Sequence, residues 1–423
     1  MSTLHDLIAH TFQQEAGRVI AALYSTIRDL ELVEDAVQDA LVLALERWPR
    51  DGVPGNPGAW ITTVSRRKAI DRLRREDTLN RKIATSTTLI NYEQEEIILD
   101  DPHEIPDERL KLIFTCCHPA LAKEAQIALT LQILGGLTTA EIASAFLVTQ
   151  TTMAQRLVRA KRKIRDARIP YQIPPADTIP ERIDAVLAVL YLIFNAGYNA
   201  PIGNELIRLD LSTEAIRLTR TLATLLVQET SLTEDPETLG LLALMLLHDV
   251  RRKARVSLDG ELVLLEDQDR SLWDHAQIAE GGAILERALR MKAPGPYQIQ
   301  AAISALHSQA PRYEETDWYQ IVILYDVLYT MLPSPVIALN RAVAVAMAAG
   351  SDKGLRLLDQ LAQTDELNDY YLFHAARADL LRRTNRLDEA RDAYTFALEL
   401  CQNITEQSFL RRRLANLQPP GNI

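Results

Sequence analysis

Apolar residues recur at spacings of three and four along nearly the whole chain, as in LIAHTFQQEAGRVIAALYSTI (7–27) and VEDAVQDALVLALERW (33–48). That period places one face of each segment inward as an amphipathic helix, so the pattern predicts an all-α fold. No long run alternates apolar and polar residues as a half-buried strand would. VSLDGELVLLEDQDRS (256–271) alone suggests a short hairpin, turning at Asp259-Gly260. The most apolar stretch, LGLLALMLLHDV (239–250), is broken at His248 and Asp249, well short of the ~20 residues a membrane span requires.

Changes in the pattern divide the chain. Residues 1–78 form a helical block, interrupted by the Pro- and Gly-rich WPRDGVPGNPGAW (48–60), a shaped loop. Residues 79–106 carry six acids against Arg81 and Lys82 and read as an acidic linker. Residues 107–168 are a second helical block, and proline-rich IPYQIPPADTIP (169–180) is a second, stiff linker. From 181 to 423 Leu- and Ala-rich helices follow. Ala344 and Ala378 lie 34 positions apart, and Ala390, Tyr394 and Ala397 fall at the spacing of the second helix of a tetratricopeptide unit. Gly354 takes the small position in the earlier, degenerate copy. Such units bury their apolar faces only against neighbours, so the repeats, clearest at 337–417, predict that the preceding helices belong to the same stack.

Composition narrows the class. A 47% hydrophobic and 24% charged chain is a soluble globular protein, and MSTLHDLIAHTFQQEAGRV lacks the basic start and unbroken apolar core of a signal peptide, so a cytoplasmic location without a membrane partner is expected. Three cysteines, Cys116, Cys117 and Cys401, have neither an even count nor metal-site spacing. No phosphate-binding glycine fingerprint, HExxH helix or nucleophile elbow is present, so neither metal, cofactor nor catalytic residues are expected. The nearest approach to a catalytic cluster is His248-Asp249 beside Arg251, Arg252 and Arg255. Its simpler reading is a set of helix-end charges paired with Glu266, Asp267 and Asp269.

Charge is unevenly placed. The net charge is −11, yet two segments are strongly basic. In WITTVSRRKAIDRLRR (60–75), Trp60, Ile61, Val64, Ile70 and Leu73 make an apolar stripe, and six Lys/Arg against Asp71 occupy the other faces. In GGLTTAEIASAFLVTQTTMAQRLVRAKRKIRDA (135–167), a short helix with Ile142, Ala143 and Phe146 inward is followed by a turn at Val148-Thr149-Gln150. A second helix, capped by Thr151 or Thr152, carries Met153, Leu157, Val158 and Ile164 inward. This is a helix-turn-helix pattern. Its second helix holds seven Lys/Arg and one acid between Met153 and Arg168, a local charge that phosphates would neutralise. Thr151, Thr152, Gln155 and Arg156 sit where a recognition helix enters a major groove, and Arg159, Lys161 and Lys163 where it meets the DNA backbone. A solvated helix in an ordinary bundle is the plainer alternative for each segment. Two basic helices separated by an acidic linker favour nucleic acid.

In order and content these segments resemble the extracytoplasmic-function sigma factors of the sigma-70 family, in the subgroup with a long C-terminal extension. VEDAVQDALVLALERW is similar to the helix of region 2.2, GAWITTVSRRKAIDRLRR to regions 2.3 and 2.4, and LTTAEIASAFLVTQTTMAQRLVRAKRKIR to the helix-turn-helix of region 4.2. The resemblance implies a region 2 domain, a region 4 domain and a tetratricopeptide-like extension, with core RNA polymerase and promoter DNA as partners. It implies that Asp35, Gln38 and Asp39 meet polymerase, and that the loop 49–58 receives an unstacked base. Trp60, Ser65, Arg66, Arg67, Lys68, Asp71, Arg72 and Arg75 would face the −10 element, with Arg67 standing where many members have Asn. Thr151, Thr152, Gln155, Arg156, Arg159 and Lys163 would face the −35 element. The extension would regulate activity through contact with the sigma domains or bind a separate protein regulator. A helix-turn-helix regulator or a tetratricopeptide adaptor that acts without polymerase is the competing class.

Overall fold

The computed structural model describes residues 4–83, 107–146, 148–198, 205–230, 234–257, 261–401 and 403–417. Most of the expected acidic linker, from 84 to 106, lies outside the described residues. Two compact units divide the chain, Met1–Ile193 with Gln228–Thr230, and Phe194–Val227 with Ser231–Ile423.

The first unit opens with α1 (Leu4–Ile27), α2 (Leu30–Asp51) and α3 (Pro57–Ile83), which pack on one another. Asp29 caps α2 by accepting from the Leu32 N–H at 3.1 Å. Leu32, Val33, Ala36, Val37, Ala40, Ala44 and Trp48 then line its buried face at helical spacing. The loop between α2 and α3 is shorter than the composition of 48–60 suggested. Pro49 sits within the last turns of α2, Gly52 at φ +84 ends that helix, and Pro57 starts α3 at a position that needs no N–H partner.

The second part of this unit comprises α4 (Arg109–Cys116), α5 (Lys123–Leu129) with a π turn at Thr130–Leu134, α6 (Thr139–Ala145) and α7 (Gln150–Asp166). Gly17 on α1 permits close approach to that π turn: a Cβ there would lie 3.0 Å from the Leu134 carbonyl oxygen. The proline-rich 169–180 stretch is docked on the unit. Buried Tyr171 donates its hydroxyl to the Ala21 carbonyl at 2.7 Å, meets Tyr24 edge-on at 4.9 Å and lies under the Arg28 guanidinium. Burying a ring of that size stabilises the contact by roughly 2–3 kcal/mol. Next, α8 (Ile179–Tyr198) sends Arg182 to the Phe114 carbonyl at 2.6 Å.

The extension is a succession of helices: α9 (Glu205–Glu229), α10 (Pro236–Asp249), α11 (His275–Arg290), α12 (Pro296–Gln309), α13 (Trp318–Met331), α14 (Pro335–Ala349), α15 (Ser351–Leu361), α16 (Tyr371–Arg383), α17 (Leu387–Leu400) and α18 (Ile404–Ala415). From α10 onward each helix packs on the next, with α10 against both α11 and α12. α10 is buried from Thr238 to Leu247, which is why its sequence is apolar on all sides. Its Glu237 caps a different helix, accepting from the backbone N–H groups of Tyr297 and Gln298 at the start of α12.

The repeat packing follows the small residues. A Cβ on Gly354 of α15 would fall 2.4 Å from the Ala346 Cβ of α14, so that pair closes only around glycine. Ala378, Ala390, Tyr394 and Ala397 are buried in one core with Leu339 and Leu358. Ala344 instead faces the preceding helices, against Ile299, Ile303, Ile321 and Leu328. The expected hairpin is reduced to one antiparallel bridge, Val256 to Leu262, and its turn lies outside the described residues. Among the described residues no helix is long and apolar enough to cross a membrane.

Candidate nucleic-acid interface

The helix-turn-helix is α6 and α7. Thr138 and Glu141 form a reciprocal cap at the start of α6, the Thr138 N–H donating to Glu141 at 2.7 Å and the Glu141 N–H to Thr138 at 3.2 Å. Ile142 and Ala143 are buried as expected and Phe146 is half-buried. The cap of α7 is Thr149, whose hydroxyl accepts from the Thr152 N–H at 3.1 Å, rather than Thr151 or Thr152; the helix therefore begins at Gln150. Met153, Leu157, Ala160 and Ile164 form the inward face. Val158 is 43% exposed, because an inward stripe at 153, 157, 160 and 164 turns position 158 outward.

Of the residues expected to read the −35 element, Thr151, Thr152, Gln155, Arg159 and Lys163 are exposed and Arg156 is half-buried. They lie along one helix, with the polar residues in its first turns and the cations further on. Lys161 departs from the expectation of a phosphate contact. It pairs with Glu34 of α2, and both side chains are nearly covered. Burial raises the Glu34 carboxyl above its usual range, although the lysine opposes that shift.

On α3, Arg67, Lys68, Asp71 and Arg75 are exposed and Arg66 is half-buried. Ser65 is fully buried, on the face shared with Ile61 and Ala69, and so lies off the basic surface. Trp60 is half-buried and packs edge-on against buried Trp48 at 5.2 Å, which makes it a wall of the core beside the loop. Arg72 reaches back to α2 and forks between Asp35 at 2.5 Å and Asp39 at 2.8 Å. One expected DNA contact and two expected polymerase contacts are thus joined in one ion-pair network, with Gln38 exposed beside it.

Cys116 and Cys117, at the end of α4, are free, fully buried thiols, and burial pushes Cys117 up to about 11, which keeps it protonated at neutral pH. Sequence reasoning missed the Glu34–Lys161 pair and the docking of Tyr171. An acid adjoining the apolar stripe of α2 was the signal for the first. An aromatic residue among prolines was the signal for the second.

Residues 11–78 match the family described as Sigma-70 region 2, and residues 111–164 match Sigma-70, region 4. Over 165 residues the chain is 26% identical to the ECF RNA polymerase sigma factor SigK of Mycobacterium ulcerans, covering 38% of this chain and 85% of that one. The SigK protein of Mycobacterium bovis (strain BCG / Pasteur 1173P2) matches at 26% over 162 residues, 37% of this chain and 83% of its own. The chain belongs to the extracytoplasmic-function sigma factors. This sigma factor carries a C-terminal extension, of which residues 182–289 match a family of unknown function, DUF6596. An uncharacterized protein of Rhizobium meliloti is 42% identical over 402 residues, 95% of this sigma factor and 93% of that protein, so the extension is shared along with the sigma domains.

Proposed function

We propose that this sigma factor binds core RNA polymerase through the α2 surface around Asp35, Gln38 and Asp39, and directs promoter-specific initiation without covalent chemistry of its own. Arg66, Arg67, Lys68, Asp71, Arg72 and Arg75, with the 49–58 loop and Trp60, take the −10 strand. Thr151, Thr152, Gln155, Arg156, Arg159 and Lys163 take the −35 duplex. The working domains are 1–78, 107–168 and 181–423, and the protein acts in the cytoplasm. The observation that carries the reading is the pairing of a basic helix, α3, with a basic recognition helix, α7, in one compact unit.

That unit has to open to do this. Elements centred near −10 and −35 are about 25 base pairs apart, roughly 85 Å along B-form DNA at ~3.4 Å per base pair. Glu34 and Lys161 are in direct contact, so both elements are engaged only after that pair separates. Likewise, polymerase and DNA must exchange partners with the Arg72 fork. The extension controls this transition, since a fused domain acts at an effective concentration on the order of millimolar.

Two experiments test the reading. Tagged protein should retain core polymerase on copurification; failure to do so removes the polymerase assignment. Truncation after Tyr198, which keeps Tyr171 and Arg182, should change transcript yield on a cognate promoter. Equal yield and equal polymerase binding would dismiss control by the extension.

A further inference from the structure

The turn after α10 collects Arg251, Arg252 and Arg255, and Arg270 lies in a later turn of the same unit. Asp249 pairs with Arg252 at 2.5 Å. Two of the three acids that the sequence offered to the remaining arginines are engaged elsewhere: Glu266 pairs with Arg383 at 2.7 Å and Arg413 at 3.7 Å, and Asp269 accepts from the Ser271 N–H at 2.9 Å, while Asp267 is exposed. Among the described residues Arg251, Arg255 and Arg270 have no carboxylate partner within ion-pair distance. They donate to neutral groups instead. Arg251 donates to the Tyr198 hydroxyl at 2.7 Å, Arg255 to the Tyr198 carbonyl at 2.5 Å, and Arg270 to the His307 and Ala310 carbonyls at 2.7 and 2.6 Å.

Two imidazoles complete the cluster. His248 lies edge-on to Tyr198 at 5.2 Å, and His307 to Trp318 at 5.1 Å. Burial lowers His248 to about 3 and His307 to about 4, and the next cause of both shifts is Arg251, which also depresses Arg270. Packing brings these groups together: the 252–254 turn lies against the 270–272 turn, α10 against α12, and Val250, Ala254 and Trp273 share one buried cluster. Among the described residues, four buried polar atoms here have no hydrogen-bond partner: His248 Nδ1, Arg270 Nη2, Trp273 Nε1 and His307 Nδ1. Trp273 lies beneath the Arg270 guanidinium, 4.5 Å from it. Leaving several buried polar groups unsatisfied next to unpaired guanidinium charge is costly, and one oxyanion would relieve both costs through charge-assisted hydrogen bonds.

We propose that the extension binds a small molecule bearing a carboxylate or phosphate group between Arg251, Arg270, His248 and His307, with Tyr198 and Trp273 as aromatic walls. The cluster is made of α8, α10, α12 and the turns at 251–255 and 270–273, so occupancy would tie together elements distant in sequence. None of these residues belongs to α3 or α7.

The test uses the full-length protein titrated with inorganic phosphate and with succinate, against chloride at matched ionic strength, by calorimetry and thermal unfolding. One anion should bind saturably at one site per chain, raise the unfolding temperature, and lose at least tenfold in affinity in both Arg251→Met and Arg270→Met. Whichever probe binds tighter assigns the ligand to phosphates or to carboxylates. Should either variant misfold, Arg251→Lys and Arg270→Lys keep the charge but lose the fork and should bind more weakly than wild type. Independently, the His248 and His307 ring nitrogen resonances should shift with the bound fraction. Absence of saturable binding by both probes, or binding that persists unchanged in either arginine variant, overturns the site.

Discussion

The Glu34 carboxylate on α2 and the Lys161 ammonium on α7 form an ion pair with side chains 14% and 12% exposed, joining the sigma region 2 helices to the recognition helix. Breaking a covered pair by removing one partner strands the other charge. Lys161→Met should therefore cost roughly 3 kcal/mol in urea unfolding, whereas Glu34→Leu combined with Lys161→Met should recover most of it. The sign of the pH effect is fixed as well. A carboxyl whose folded pKa is raised binds its proton more tightly when folded, so the Lys161→Met deficit should shrink as pH falls through that raised value. A deficit independent of pH would show that Glu34 is not the stranded charge.

Recognition of duplex should divide along α7. Replacing Gln155 and Arg156 with Ala should weaken −35 binding by about 1–3 kcal/mol for each base-edge interaction removed and relax the sequence preference. Replacing Arg159 and Lys163 should weaken binding to all sequences and reduce its salt dependence. Titrations at two salt concentrations on cognate and scrambled duplexes separate the two effects.

Strand capture should depend on the exposed cations of α3. Reversing charge at Arg67 and Lys68 should leave polymerase binding intact and reduce open-complex formation. Normal permanganate reactivity at the start site would place the melted strand elsewhere. Arg72→Ala should behave differently, because it frees Asp35 and Asp39. As the fork is partly exposed, its loss should cost no more than about 1 kcal/mol in stability while altering polymerase affinity.

Acid should weaken the extension before it protonates most carboxylates. His248 and His307, facing Arg251, Arg255 and Arg270, have folded pKa values of about 3 and about 4, below the unfolded value near 6.5. Between those limits the unfolded chain binds more protons, so stability is lost as pH falls, by roughly 1.4 kcal/mol per pH unit for each histidine. Calorimetry from pH 7 to pH 5 should show a falling unfolding temperature, with a shallower slope in His248→Gln and His307→Gln.

The helical class and the helix-turn-helix were legible because the apolar period of α2, α6 and α7 is local and strong. Misjudged features depended on contacts distant in sequence. Thr149 rather than Thr151 caps α7, a difference of two residues that propensity does not resolve. Lys161 reads like its neighbours Arg162 and Lys163 until α2 brings Glu34 to it. Ser65 is small and polar within a basic run, yet it occupies the face that Ile61 and Ala69 bury. Glu266 and Asp269 are near Arg251 in sequence, but the repeat helices bring Arg383 and Arg413 to Glu266, and Asp269 caps its own turn.

The central claim is most directly tested by transcription with purified core RNA polymerase on genomic fragments, mapping RNA 5′ ends with and without the protein. The account predicts a discrete set of start sites that appears only when the protein is added. Those sites should disappear with Gln155→Ala/Arg156→Ala and with charge reversal at Arg67 and Lys68. Identical 5′ ends from core polymerase with and without the protein would contradict it.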